Sequence, residues 1–460
     1  MHAFCKETLL MVEEKKTRKI GMWTASAFVI ANMIGTGVFT SLGFQLLGTH
    51  QMGAVMMLWL FGGVVALCGA LTYAELGSAM PRSGGEYHYL GEIYHPSVGF
   101  VSGWISLIVG FAAPVALTCM ALSSYVCRIF PVLNPKWIAL GVLTLITLMH
   151  TRDLKFSGSF QNIFTVLKII VIIIFIACGF ILPEHVQDYS AQHLEAKDIF
   201  NPGFAISLIW VYYAYSGWNA STYMASEIEN PKKNLPLSLI LSTLVVTLLY
   251  LLLNYVFLRS TPMGDLEGQI EVGLISAQNI FGTRIGNMMG LIISVLLLSS
   301  ISSMVFMGPR VAQVMGEDHR ILRFLSHKNK RGVPMSAIIF QYAISFLLII
   351  TNSFEMITKY TGILLSMCSL LTVLGIFRHR RKFPNIERKY KTLGYPVTPI
   401  LFCVLIVWSI VYLVYEDYTM FAKGEQPVMW MTLMSAFTLI SGIIVYFINT
   451  IITKKQTNEK

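Results

Sequence analysis

Twelve long apolar runs divide this chain, at residues 20–46, 52–79, 98–126, 136–151, 158–182, 203–226, 236–259, 285–309, 334–351, 354–377, 397–415 and 428–452. A helix that crosses a bilayer needs about 20 mostly apolar residues, and lipid admits only segments that satisfy their own backbone hydrogen bonds. The pattern predicts an all-α membrane protein with twelve transmembrane helices. Hydrophobic residues fill 55% of the 460 positions and charged ones only 13%, against about 25% charged in a soluble domain. Little apolar stock is left for a separate soluble core, which excludes an ordinary cytosolic enzyme. No long linker or low-complexity tract interrupts the runs, so no extramembrane domain is expected.

The net charge of +10 raises the question of a nucleic-acid partner. Such a partner requires a folded basic face, whereas Lys and Arg here sit between the apolar runs, so none is expected. With the N-terminus in the cytosol, 26 of the 34 Lys and Arg fall on cytosolic segments, 7 on external loops or the external ends of runs, and only Lys168 deep inside a run. Basic residues are retained on the cytosolic side, which predicts both termini in the cytosol. The expected location is a cytoplasmic membrane of the bacterial inner-membrane kind. The two most basic loops, 310–331 and 378–391, read as topology determinants that touch anionic lipid. The first run is too long, and lacks the small-residue cleavage site, for a removable signal peptide. Seven cysteines with no C-x-x-C pair argue against a disulfide framework or a zinc site.

Backbone breaks inside such runs are informative, because unwound backbone at membrane depth is tolerated only where it is buried or lines a cavity. The first run holds Gly35-Thr36-Gly37 near its middle, and the sixth holds Ser216-Gly217-Trp218-Asn219. Helix packing alone uses small residues four apart, whereas Gly35 and Gly37 are two apart. Paired interruptions five spans apart point to inverted repeats with a site at their interface. The expected division is a tail at 1–19, repeats at 20–182 and 203–377, two further spans within 397–452, and a tail at 453–460. An unwound Gly-Thr-Gly exposes backbone N–H groups at a half-helix N-terminus, where a carboxylate is favoured. Carbonyls freed at the other side of each break suit an ammonium. Two such places a few ångströms apart describe an α-amino acid.

Lys168 lies roughly 16 Å along its helix from the cytosolic entry at a rise of about 1.5 Å per residue, too deep to reach the surface easily. An ionisable group there is a functional candidate by default, as a proton-responsive or a fixed internal cation; the structural alternative is a Lys bonded to helix-end carbonyls. Glu75, near the cytosolic end of the second run and within reach of a loop carrying Arg82, reads as a surface ion pair or gate latch rather than a catalytic group. Pro81-Arg82-Ser83-Gly84-Gly85-Glu86-Tyr87 lacks the Lys-Ser/Thr of a phosphate loop and reads as a tight cytosolic turn. No H-E-x-x-H and no G-x-S-x-G occurs, so neither an enzyme, a metal nor a cofactor is expected. Trp104, Trp210 and Phe111 read as packing residues.

These pieces together resemble the amino acid–polyamine–organocation superfamily. The resemblance covers nearly the whole chain. It rests on Ile34-Gly35-Thr36-Gly37-Val38-Phe39, on Pro81 to Tyr87, and on Gly217-Trp218-Asn219 followed by Glu227-x-x-Asn230-Pro231-Lys232-Lys233-Asn234-Leu235-Pro236. The Gly-Trp-Asn form, with Thr165-Val166-Leu167-Lys168, is similar to the L-type amino acid transporter family and its bacterial relatives. The resemblance implies the leucine-transporter fold with helices 1 and 6 broken, and alternating-access transport of neutral amino acids as an exchanger or a proton-coupled permease. It implies a carboxylate at Gly35, Thr36 and Gly37, an ammonium at the carbonyls of Met33, Tyr213 and Ser216, and Tyr213 as an aromatic lid. Asn219 stands where arginine–agmatine exchangers carry a glutamate, which speaks against arginine. Lys168 would replace a bound sodium ion, near Ser299, Ser302 and Ser303. Animal heteromeric relatives link to a heavy chain through a Cys after the third span; 128–136 has none, so no such partner is expected. The competing readings are a permease for cationic amino acids or polyamines, which would want an acid facing the site, and, more remotely, a polytopic membrane enzyme or an amino acid sensor.

Overall fold

The computed structural model describes residues 20–152, 157–182, 186–189, 191–329 and 332–458; the expected N-terminal tail, 1–19, lies outside them. The chain is all-α, and the only strand-like pairing among the described residues is one bridge between Ile20 and Ile228. The helices are α1 (Met22–Met33), α2 (Gly37–Gln45), α3 (Met52–Ala79), α4 (Glu86–Ile93), α5 (Pro96–Ile129, with a π turn at Ser106–Gly110), α6 (Pro135–Arg152) and α7 (Ser157–Ile181). They continue with α8 (Pro202–Tyr215), α9 (Pro231–Ser260), α10 (Val272–Asp318), α11 (Met335–Thr351), α12 (Phe354–Lys382), α13 (Val397–Ala422) and α14 (Trp430–Asn458).

Nine helices among the described residues are long and apolar enough to cross a membrane, counting the bent α1–α2 pair as one. This is fewer than the twelve apolar runs, and the shortfall has local causes. α8 stops at Tyr215 because its run unwinds there, α11 spans only 17 residues, and α6 carries Lys136, His150 and Arg152 towards its ends. The loop before the eighth run is also helical. α10 begins at Val272 and turns sharply at Gly282 (φ 78°).

α7 shows how the bundle sorts its faces. Thr165, Lys168, Ile172, Phe175 and Ile176 are buried, whereas Ile163, Val166, Ile170, Ile173 and Ile174 are exposed. The buried set recurs at intervals of three and four, one face of a helix. The outward stripe is purely apolar, as a lipid-facing surface requires. Lys168 therefore occupies an inward position, 2% exposed.

Glu75 is fully buried, and its partner is not the expected Arg82. Arg380 of α12 donates Nε–H and Nη2–H to its two oxygens at 2.9 and 2.7 Å. Thr392 adds its backbone N–H at 2.7 Å and its hydroxyl at 2.8 Å, and Arg388 lies 3.4 Å away. Arg380 also rests on the Tyr395 ring, 3.6 Å from its centroid. Arg82 pairs instead with Asp318 at the end of α10, at 2.9 Å to each oxygen. Sequence distance explains the difference, since Glu75 and Arg380 are 305 residues apart. Removing one partner of a buried pair costs about 3–5 kcal/mol; the Arg380 side chain keeps 25% exposure, which favours the lower end. Glu75→Ala is expected to lose about 3 kcal/mol of stability, read as a lower unfolding temperature in detergent. An unchanged transition would show that the cluster is not a clamp.

Candidate functional site

The site is built where two helices stop in mid-course. α1 ends at Met33, and Ile34–Thr36 leave the helical path before α2 starts at Gly37. Gly35 N–H turns back to the Met33 carbonyl at 2.8 Å. The first turn of α2 has no side-chain cap, so its N–H groups have no side-chain acceptor. α8 ends at Tyr215, and Ser216–Asn219 lead into a 3-10 segment, Ala220–Glu227. Gly217 adopts φ 98°, a conformation only glycine takes readily.

The two breaks touch. A Cβ on Gly37 would lie 2.3 Å from Ala214 Cα, and a Cβ on Gly217 would lie 2.8 Å from Asn32 Cβ. Each glycine thus provides the room in which the other break rests. Tyr213 and Thr36 hydroxyls meet at 2.9 Å. Tyr250 of α9 joins both breaks, with its hydroxyl 2.5 Å from the Met33 carbonyl and 3.1 Å from the Ala214 carbonyl. Sequence reading missed Tyr250, because a tyrosine inside an apolar run looks like any packing residue.

The second break opens on a cavity that α1 reaches through Asn32. Asn32, Ser216, Gly217 and Asn219 line it, with Phe111, Tyr223 and Glu86 on its walls. Of the residues expected to hold substrate, Ser216 and Asn219 face this cavity, whereas Met33, Gly35, Thr36, Gly37 and Tyr213 do not line it. The Met33 carbonyl is occupied by Gly35 N–H and Tyr250, and the Tyr213 carbonyl by the N–H and hydroxyl of Ser216 at 3.0 and 2.7 Å. Beyond the α2–α8 contact, Trp210 stacks on Phe44 at 4.3 Å and Phe44 on Phe354 at 5.8 Å. Trp210 is thus a packing residue, whereas Phe111 lines the cavity.

Glu86 is an acid facing the cavity, the feature that the cationic reading wants. The chain turns at Gly84 and Gly85, both at positive φ, and α4 begins with Glu86 in its first turn. The carboxylate is 1% exposed. Its Oε1 accepts from the Tyr73 hydroxyl at 2.6 Å, the Ser369 hydroxyl at 3.0 Å and the Asn219 amide at 3.2 Å. Glu86 was visible in the sequence as the end of a turn; its depth was not, because depth follows from how the turn folds back under α3.

Lys168 Nζ donates to the Ile34 carbonyl at 3.1 Å and to Ser300 Oγ at 2.6 Å. Ser300 also donates to Ile34 at 3.2 Å. The eighth-run partner is therefore Ser300, not the expected Ser299, Ser302 or Ser303. Ser299 bonds the Leu296 carbonyl in its own helix, Ser302 bonds His150 at 2.8 Å, and Ser303 accepts from the Asn32 amide at 3.2 Å. No carboxylate among the described residues pairs with Lys168. No group of three or more His, Cys, Asp or Glu among them could hold a metal ion.

Residues 20–447 match the family described as amino acid permease. The chain is 27% identical over 458 residues to the human (Homo sapiens) b(0,+)-type amino acid transporter 1, covering 96% of this chain and 91% of that protein. The mouse (Mus musculus) protein of the same name is 26% identical over 445 residues, covering 94% and 88%. The human large neutral amino acids transporter small subunit 2 is 26% identical over 411 residues, covering 85% and 76%. Two helix breaks in contact, the second of them lining a cavity, are an arrangement for holding a small molecule at membrane depth, and the family match covers both breaks. The chain belongs to the amino acid permease family of the amino acid–polyamine–organocation superfamily, and it is a secondary active amino acid transporter, not an enzyme.

Proposed function

We propose that this transporter works by alternating access between two inverted five-helix repeats, 20–182 and 203–377, with two further helices following. The observation that carries the reading is the pair of breaks, packed against each other through Gly37 and Gly217, with the second break and Asn32 of α1 lining one cavity. In this proposal the substrate carboxylate takes the N–H groups at Gly35, Thr36 and Gly37, that of Gly35 leaving the Met33 carbonyl to do so, where the positive end of α2 favours an anion. Its ammonium takes the carbonyls of Met33, Tyr213 and Ser216. The Thr36–Tyr213 contact and the Ser216 and Tyr250 donors must give way for this, which makes Tyr213 a gate. Glu75 holds the cytosolic end of α3 while the breaks move. Lys168 keeps a fixed cation against the Ile34 carbonyl, so no sodium ion is needed. A substrate favours one state only by binding it more tightly than the other.

The side-chain range extends to cationic amino acids, carried along with neutral ones. Glu86 on the cavity wall supports this, and so does the plus sign beside the zero in the name of the b(0,+)-type relatives; the other relatives are named for large neutral amino acids. Asn219 weighs less against arginine once Glu86 stands beside it. The proposed setting is a bacterial cytoplasmic membrane with both termini inside, supported by the Lys and Arg distribution, and without a disulfide-linked partner, as 128–136 lacks Cys.

Counterflow in proteoliposomes tests the reading. Vesicles preloaded with unlabelled leucine or arginine are expected to accumulate the labelled form of each, and a pH gradient added to the assay separates exchange from proton coupling. Ligand binding without flux would indicate a sensor and end the transport mechanism. Flux of leucine alone would end its cationic part.

A further inference from the structure

The described residues include four buried acids, Glu75, Glu86, Glu271 and Asp417. Two have a cation beside them, and a third, answered by neutral donors only, lines no part of the cavity. Glu75 faces Arg380 and Arg388, and Glu271 lies 4.0 Å from Arg128. Asp417 uses both oxygens near the start of α14, on Gln426 and on the N–H and hydroxyl of Thr432. Glu86 differs. Its donors, Tyr73, Ser369 and Asn219, are all neutral, and no Lys, Arg or His of the described residues pairs with it. It is the one acid on the cavity wall, and no basic residue lines that cavity with it.

A carboxylate taken out of water is costly unless an opposite charge answers it. Here the protein supplies hydrogen bonds but no cation, and it leaves a cavity at the place where one would sit. Position supplies the second half of the argument. Asn219 closes the break after α8 and also donates to Glu86 at 3.2 Å, so the carboxylate stands one hydrogen bond from the place proposed for the substrate's head. Ser216, Asn219 and Glu86 line the same cavity, so a side chain entering it from that place shares the space with the carboxylate.

Building on the amino acid transport reading above, we infer that Glu86 determines specificity by acting as the counter-ion for a cationic substrate side chain, an ammonium or a guanidinium. With a neutral substrate the Asn219 amide stays on the carboxylate. With lysine or arginine the side-chain cation displaces that amide and supplies the missing charge. Ser369 and Tyr73 hold the carboxylate in place in both cases.

The test is Glu86→Gln, which keeps the shape and removes the charge, with leucine and arginine counterflow measured side by side in proteoliposomes. The expected result is arginine counterflow at least tenfold lower and leucine counterflow within about twofold of the unmodified protein. In the unmodified protein arginine is expected to protect against thermal unfolding, and in the variant this protection is lost while that from leucine remains. Equal loss of both fluxes would make Glu86 a structural or gating residue and overturn the inference. Loss of only the response of leucine uptake to a pH gradient would make it a proton site and also overturn it. Unchanged arginine flux, or leucine flux without arginine flux in the unmodified protein, would overturn it with the transport reading intact. An unmodified protein that moves neither amino acid would instead remove the reading beneath it.

Discussion

Gly37→Ala is expected to abolish amino acid uptake while the protein still reaches the membrane. The added Cβ would lie 2.3 Å from Ala214 Cα, 2.7 Å from Ala214 Cβ and 3.1 Å from Ala214 N. Carbon atoms rest at about 3.5–4.0 Å, so the two breaks would have to separate by more than an ångström, and the obstacle includes backbone, which cannot rotate aside. Overpacking of this kind costs about 1–3 kcal/mol, too little by itself to unfold a protein with the usual reserve of about 5–15 kcal/mol. The same cost falls on the conformation in which the breaks touch and spares one in which they part. A differential of about 1–3 kcal/mol shifts such an equilibrium by about 5- to 150-fold, enough to stall a cycle that must visit both. Gly37→Leu should be worse. Two other glycines provide controls. Gly141 has nothing within 4 Å of its Cβ position, and at Gly35 the nearest atom is Ser300 Oγ at 3.7 Å. Gly141→Ala should transport normally. Gly35→Ala should fold normally, so any transport it loses reports on the substrate carboxylate. Uptake by Gly37→Ala at the unmodified rate would mean that transport does not need the packed breaks.

The legible part of this protein was what composition and glycine impose locally. Long apolar runs have few fates, and the residues that unwind, Ile34–Thr36 and Ser216–Asn219, lie at the small-residue interruptions seen in the sequence. What stayed hidden was rotation and distance. In Ser299-Ser300-Ile301-Ser302-Ser303 every hydroxyl is chemically alike, and a helix turns successive residues to different sides. Only packing decides that Ser300 meets Lys168 while Ser302 meets His150. Arg82 and Arg380 were equally good partners for Glu75 on charge, and the nearer one in sequence turned out to serve Asp318. Tyr250 and Glu86 show the same gap. Their residue types were plain, but their roles rest on contacts 217 residues away at Met33 and 283 residues away at Ser369.

Lys168→Met is expected to lower transport at least about tenfold, equivalent to about 1.4 kcal/mol on the limiting barrier, while leaving the unfolding temperature unchanged or higher. The two parts have different origins. Lys168 is 2% exposed and has two hydrogen-bond partners, Ile34 and Ser300, with no carboxylate among the described residues to answer its charge. A buried charge in that condition is held at a cost, and replacing buried ionic groups by apolar ones of similar volume is often neutral or stabilising. Methionine nearly matches the length of the lysine stem and packs flexibly. The Ile34 carbonyl does not become an orphan, because Ser300 continues to donate to it at 3.2 Å. Folding therefore has little to lose. The transport cycle has more, since Ile34 is the residue that caps the end of α1, and the ammonium ties that end to α7 and α10. Without the tie, the first break can settle in a position unrelated to α10, and substrate binding no longer moves the two together. Parallel measurement of flux and thermal unfolding decides the matter. Lost flux with retained stability supports a working cation, whereas flux and stability falling together would make Lys168 a structural pin, and retained flux would remove it from the mechanism.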